Sequence, residues 1–288
     1  MGTVEDMTAI RTVRAAWQHA SARNAPLLAA GVAFYAFLSI FPAMIAGVLG
    51  YGLLASPETV ERQADQIADA LPADAASVIN GQLDALTRTG GQSLGIGLVL
   101  AIVLALYSAS GGTANLLTAL RVMFGRTDKP GFVKAKLEAL GLTLAGIVLV
   151  LLLVSLVAAA PAVLDALDVT GLARTGIEIG RWILIAFALA ASIGVLFRVA
   201  KRGDRSLSRL GVGVAVLLLI VASAGFSLYV DNFGSYGKTY GALAGVVALL
   251  LWMWVGLFAL MLGASVEAVL DDSDDATDDE GERTDDDQ

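Results

Sequence analysis

Apolar residues in this chain come in long unbroken runs, not in the short alternating pattern of a soluble sheet or the one-sided stripe of a soluble helix. Six stretches contain no Asp, Glu, Lys or Arg: 24–57, 89–120, 139–164, 182–197, 210–230 and 239–266. Five are longer than the roughly 20 residues a helix needs to cross a bilayer. The stretch 182–197 would reach only about 24 Å at the helical rise. Arg181 and Arg198 flank it and can extend their charged ends toward the two interfaces. The pattern predicts an all-α polytopic integral membrane protein, with six transmembrane helices near 27–55, 93–118, 139–161, 181–199, 210–230 and 241–266. A cytoplasmic segment 1–26 precedes this 27–266 transmembrane domain, and an acidic tail 267–288 follows it. The first run is too long for the apolar core of a secretory signal, so it is expected to stay as a span. Pro42 lies within it, so a bend is expected at Phe41–Pro42.

Between the first and second spans the pattern changes. Ser56-Pro57-Glu58 has the form of a helix start, and Pro72 with Asp74 opens a second one carrying Ile79, Leu83 and Leu86 at helical spacing. These short helices are expected on the extracytoplasmic side, as linkers packed on the bundle or as a cover over its mouth.

Composition agrees with the pattern. Hydrophobic residues make up 57% and charged residues 16%, against about 25% charged in a typical soluble domain. The net charge of −8 is concentrated in Asp271–Gln288, which holds eleven acids and one Arg and is expected to be disordered and solvated. Lys and Arg cluster in alternate connections: 1–23, 121–138 and 198–209 are rich in them, while 58–88, 165–181 and 231–238 are poor. Positively charged connections stay on the cytoplasmic side, so both termini are expected in the cytoplasm of a cell membrane protein.

Chemistry-bearing residues are few. There is no cysteine and a single histidine, His19, so neither a thiolate nor a cluster of metal ligands is expected. A nuclease needs gathered acids or histidines, and almost every acid here lies in a connection or the tail. The chain is therefore expected not to be an enzyme, with no catalytic, cofactor-binding or metal-binding residues, no cofactor and no nucleic-acid partner. A charge inside the bilayer costs at least about 2.5–3.5 kcal/mol, and Glu138, Arg198 and Glu267 stand at span ends, where interfacial partners account for them. What remains inside the spans is polar and neutral, densest at Tyr107-Ser108-Ala109-Ser110-Gly111-Gly112-Thr113-Ala114-Asn115. Two alternatives stand for it. The residues pack helices together, or they line a polar path, including a locally broken helix. The candidate path comprises Tyr107, Ser108, Ser110 and Asn115, joined by Lys238 and Tyr240 from the turn Asp231–Tyr240. Gly241 and Gly245 form a GxxxG of the type that packs membrane helices.

Three segments together resemble the YihY/BrkB family of membrane proteins, which once carried the label ribonuclease BN. They are Ala30–Gly50 (AGVAFYAFLSIFPAMIAGVLG), Tyr107–Gly125 (YSASGGTANLLTALRVMFG) and Tyr236–Leu270, with Tyr240-Gly241-Ala242-Leu243, Trp252, Gly263 and Glu267. The resemblance implies a multi-pass envelope membrane protein. With membrane lipids as surroundings and few charges in the spans, the expected role is transport or flipping of a lipid-like or small amphipathic molecule. The alternative is a non-transporting scaffold or assembly protein, with ribonuclease activity third.

Overall fold

A computed structural model describes residues 3–54, 94–126, 130–166, 170–201, 209–232 and 242–285. They form seven helices: α1 (Thr3–Ala22), α2 (Ala25–Leu54), α3 (Leu94–Met123), α4 (Phe132–Ala166), α5 (Gly171–Lys201), α6 (Arg209–Asn232) and α7 (Ala242–Asp285). The last six each contain a stretch long and apolar enough to cross a membrane, so the all-α, six-span architecture expected from the apolar runs is what the chain adopts. The short helices expected within 58–88 lie outside the described residues.

Several boundaries differ from the charge-free runs. The fourth candidate span is Gly171–Lys201, 31 residues long, where the sequence pattern placed a short span near 181–199. Arg174 and Glu178 pair across one turn at 3.2 Å, an i,i+4 arrangement that a helix tolerates, so charge does not end the helix. The third candidate span starts at Phe132 instead of 139 and the second runs on to Met123. Helix α2 continues through Pro42 to Leu54. Helix α7 continues through Asp285, where a disordered tail was expected from 267 onward. A helix already formed extends without a new nucleation step, so poor helix formers such as Asp can be carried along.

Close packing gathers at the end of the bundle where α2, α6 and the α4 helix begin and α3 and α5 finish. The buried cluster there includes Ala25 and Ala29 of α2, Leu117, Leu120 and Met123 of α3, Phe197 and Ala200 of α5, Ala215 of α6 and Met261 and Ala264 of α7. In lipid, burial of apolar surface does not itself drive helices together, so backbone approach over small residues and dispersion contacts must do it. Helix α1, for which the sequence pattern offered no structure, lays Ala16 and Ala20 against this cluster and sets Trp17 edge-on to Phe258 of α7 at 6.1 Å. Asn24 takes the left-handed conformation at the α1–α2 corner (φ 54°), a geometry Asn accepts more readily than most residues.

Candidate functional site

The structure presents three regions with polar or open character. At the packed end, Lys201 of α5 reaches Glu267 of α7 at 3.3 Å and Asp271 at 2.6 Å. Glu267 is fully buried. It fits because Gly211 of α6 faces it: a Cβ there would lie 2.4 Å from Glu267 Oε2 and 3.0 Å from its Cα. One turn on, a Cβ on Gly263 would lie 2.4 Å from the Cβ of Ala215. Gly211 and Ala215 on α6 thus meet Gly263 and Glu267 on α7, two small-xxx spacings in register. Nearby, Arg121 of α3 donates to Glu138 of α4 at 2.7 Å. Arg126 donates to the Lys201 carbonyl.

The carbonyls at the end of α3 are satisfied locally. Gly125, with φ 67°, lets its N–H bond to Val122 O and that of Arg126 to Arg121 O, the paired bonds of a glycine-terminated helix. Arg23, from the α1–α2 corner, donates to the Val122 carbonyl at 2.5 Å. This places a cation at a helix C-terminus, where the dipole favours it.

The second region lies on the same pair of helices farther along. A Cβ on Gly256 of α7 would lie 3.4 Å from Leu219 Cδ2 of α6, and one on Gly225 or Gly245 would meet nothing within 4 Å. From Gly211 and Gly263 to Gly256 the contact between the two helices thus changes from backbone approach to an ordinary side-chain contact. Between them opens a groove of about 460 Å³ lined by Ser223, Phe226, Ser227, Val230, Ala248, Leu249 and Trp252. The serines of the second span take no part in it. Of the GxxxG expected to pack helices, Gly245 faces open space, and Gly241 lies outside the described residues.

The third region is the polar run of α3. The helix is continuous from Leu94 to Met123, so the locally broken helix is corrected. Its polar side chains bond to their own backbone, which leaves the helical ladder intact: Ser110 donates to Tyr107 O at 2.7 Å, Asn115 to Gly111 O at 2.8 Å and Thr118 to Ala114 O at 2.8 Å. Others join helices. Thr113 meets Thr143 of α4 at 2.8 Å, and the Gly112 N–H reaches Ser39 Oγ of α2 at 3.0 Å. Gly112 packs so closely that a Cβ would sit 3.1 Å from the Ala36 Cα.

Of the candidate path residues, Ser110 is buried while Ser108 and Tyr107 are exposed. Two residues apart on a helix, Ser108 and Ser110 point to opposite sides, so they do not line one channel. Tyr107 and Asn115 do share a face, with Gly111 between them. Lys238 and Tyr240 lie outside the described residues.

Lys136 of α4, absent from the sequence-derived candidates, joins that face. Its Nζ lies 3.4 Å from the centre of the Tyr107 ring and donates to the Tyr107 carbonyl at 2.8 Å. Contacts spread from Tyr107 to Arg121 along α3 converge on the short segment Lys136–Thr143 of α4. The two helices therefore cross instead of running alongside each other, and Lys136 and Glu138 reach in opposite directions along α3. No periodicity in the sequence announces such a crossing. Among the described residues, no three His, Asp or Glu side chains gather as metal ligands.

The profile of the family described as Virulence factor BrkB matches residues 16–288, nearly the whole chain. The chain belongs to the BrkB family. Among its relatives is the ribonuclease-like protein YfkH of Bacillus subtilis (strain 168), 26% identical over 84% of this chain and 88% of the relative. A UPF0761 membrane protein of Tolumonas auensis is 43% identical over 61 residues, 21% of this chain and 20% of its own length. Another, of Vibrio campbellii, is 31% identical over 34% of this chain and 32% of the relative. The matches to these UPF0761 proteins thus span a third of their length or less. No solved structure matches the chain. In this BrkB-family chain the Lys201–Glu267–Asp271 and Arg121–Glu138 pairs lie at the packed end, and the groove lies between α6 and α7.

Proposed function

We propose that this BrkB-family protein binds an amphipathic, lipid-like molecule in the α6–α7 groove and moves it across the membrane. One observation carries the proposal: two spanning helices that are locked at one end open into a groove of about 460 Å³ at the other. The volume lies within the usual range for small-molecule sites. Phe226, Val230, Leu249 and Trp252 offer apolar contact suited to an acyl chain, while Ser223 and Ser227, one turn apart, offer hydroxyls to a polar linkage. With no Asp, Glu, Lys or Arg among the lining residues, the groove suits such a molecule better than a small ion. The role involves no catalytic step; the ribonuclease-like label is said of the Bacillus relative.

The scaffold alternative is favoured by a different observation, the polar groups of α3 bonded to their own helix or to a neighbouring one. Flipping of a fluorescent phospholipid in proteoliposomes, read by dithionite quenching, separates the two. Wild-type protein is expected to accelerate loss of the protected signal over protein-free vesicles, and Ser223→Trp, which fills the groove, to abolish the acceleration. Wild type no faster than empty vesicles would leave the scaffold reading standing.

The proposed setting is the cytoplasmic membrane with both termini inside, supported by the alternation of Lys and Arg in the connections. Reporter fusions within 58–88 are expected to read outside, and those after residue 288 inside. A C-terminal reporter reading outside would overturn this orientation.

A further inference from the structure

We infer that the α3 face running from Tyr107 through Gly111 to Asn115, with Lys136 above it, is a binding site for an anionic phosphate-bearing group. The inference goes beyond the groove and is independent of it, because it rests on different helices.

Arg121, Lys201 and Arg23, at the crossing and the packed end, are engaged with acidic groups or a helix end. Arg121 has Glu138, Lys201 has Glu267 and Asp271, and Arg23 has the Val122 carbonyl. Lys136 differs. Its partners are the carbonyl and the ring face of Tyr107, and among the described residues it has no carboxylate within ion-pair distance. An ammonium carries three donors. The carbonyl takes one and the ring face attracts the charge without neutralising it, so positive charge and donor capacity remain. That ammonium stands in a helix that is itself a candidate span, Phe132–Val154, against the middle of α3. A cation there is costly unless a counter-charge arrives.

The surroundings are shaped for one. Tyr107, Gly111 and Asn115 follow at four-residue spacing, on one face of α3 over about 12 Å. Gly111 leaves the middle of the face open, with nothing within 4 Å of where its Cβ would be. The Asn115 amide spends one N–H on the Gly111 carbonyl, and its second N–H remains as a donor. An ammonium at one side, an amide donor at the other and a notch between them suit a phosphate oxygen cluster. The exposed Tyr107 ring beside them suits the glycerol or acyl portion of a lipid that would carry it. The same chemistry is met by the headgroup of an anionic phospholipid or by free phosphate.

Native mass spectrometry of the full-length protein in detergent distinguishes these. It is titrated with phosphatidylglycerol, with phosphatidylcholine and, separately, with inorganic phosphate. Phosphatidylglycerol is expected to bind more tightly than phosphatidylcholine. Lys136→Gln keeps a donor for the Tyr107 carbonyl while removing the charge, and should weaken phosphatidylglycerol binding by about tenfold or more, the loss of one hydrogen bond between charged groups. Lys136→Arg should restore it. Gly111→Leu should remove the preference by filling the notch while Lys136 is intact. Ser223→Trp should leave it unchanged, so failure of the groove proposal is told apart from failure of this one. Lys136-dependent binding of inorganic phosphate with no lipid preference would support the anion site and assign its occupant as free phosphate. Binding of both lipids that is equal and indifferent to Lys136→Gln, with no Lys136-dependent phosphate binding, would overturn the inference.

Discussion

Helices α6 and α7 make two unlike contacts with each other along their length. At one end Gly211 and Gly263 let the backbones touch, and Glu267 is buried against Gly211 with Lys201 drawn in from α5. Toward the other end the same pair borders an open groove lined by Phe226, Leu249 and Trp252. The difference teaches that in lipid a helix pair closes only where small residues permit approach and a polar partner rewards it. A purely apolar stretch such as Leu217–Val221 has as much to gain from a lipid tail as from a neighbouring helix.

Removing the charge that closes the packed end should have the largest effect. Lys201→Met would leave Glu267, fully buried, without this partner, and breaking a buried pair from one side costs about 3–5 kcal/mol. The expected result is early loss of monodisperse protein on heating, followed by size-exclusion chromatography, with Lys201→Arg close to wild type. An unchanged profile for Lys201→Met would mean that the ion pair does not hold the helices.

Steric opening of the same contact ranks next. Gly263→Leu must displace Ala215, and Gly211→Leu must displace the Glu267 backbone; overpacking of this kind costs about 1–3 kcal/mol. The same replacement at Gly245, where nothing lies within 4 Å, should leave the melting profile near wild type. If all three behaved alike, the contrast between the two ends would be lost.

The smallest effect on stability is expected in the groove. Ser223→Ala and Ser227→Ala remove exposed hydroxyls and should change stability by no more than about 0.5 kcal/mol, while the pair together slows lipid flipping. Equal flipping by the double variant would restrict the groove's contribution to its apolar walls.

Much of the fold was legible in the chain because bilayer crossing is a local requirement. A run without charge, such as 139–164 or 239–266, has few other solutions, since each backbone donor and acceptor must be satisfied within its own segment. The three segments resembling the BrkB family were equally legible as strings of residues. Legibility declined where partners decide. Arg181 and Glu138 looked like boundaries of spans because a charge was assumed to need water, yet Glu138 has Arg121 of α3, and beyond Arg181 the helix carries Arg174 and Glu178 paired one turn apart.

The candidate site shows the same division. That Tyr107–Asn115 concentrates hydroxyls, glycines and an amide is a property of the sequence. Which of them turn inward is set by helical phase, and the phase sends Ser108 and Ser110 to opposite sides. The glycines were visible in number but not in use: Gly112, Gly211 and Gly263 are contact points, while Gly111 and Gly245 border open space.

Sequence alone therefore determined the membrane class, the number of spans and the family, because hydropathy and motif are written residue by residue. Only the tertiary structure decided that α4 crosses α3 and brings Lys136 to Tyr107, that α1 docks on α7, and that α6 and α7 lock at one end and border an open groove farther along. Those outcomes depend on which surfaces meet. Between helices in lipid, that choice turns on a few ångströms of backbone approach and on single polar partners far apart in the chain, neither of which is encoded in the local pattern.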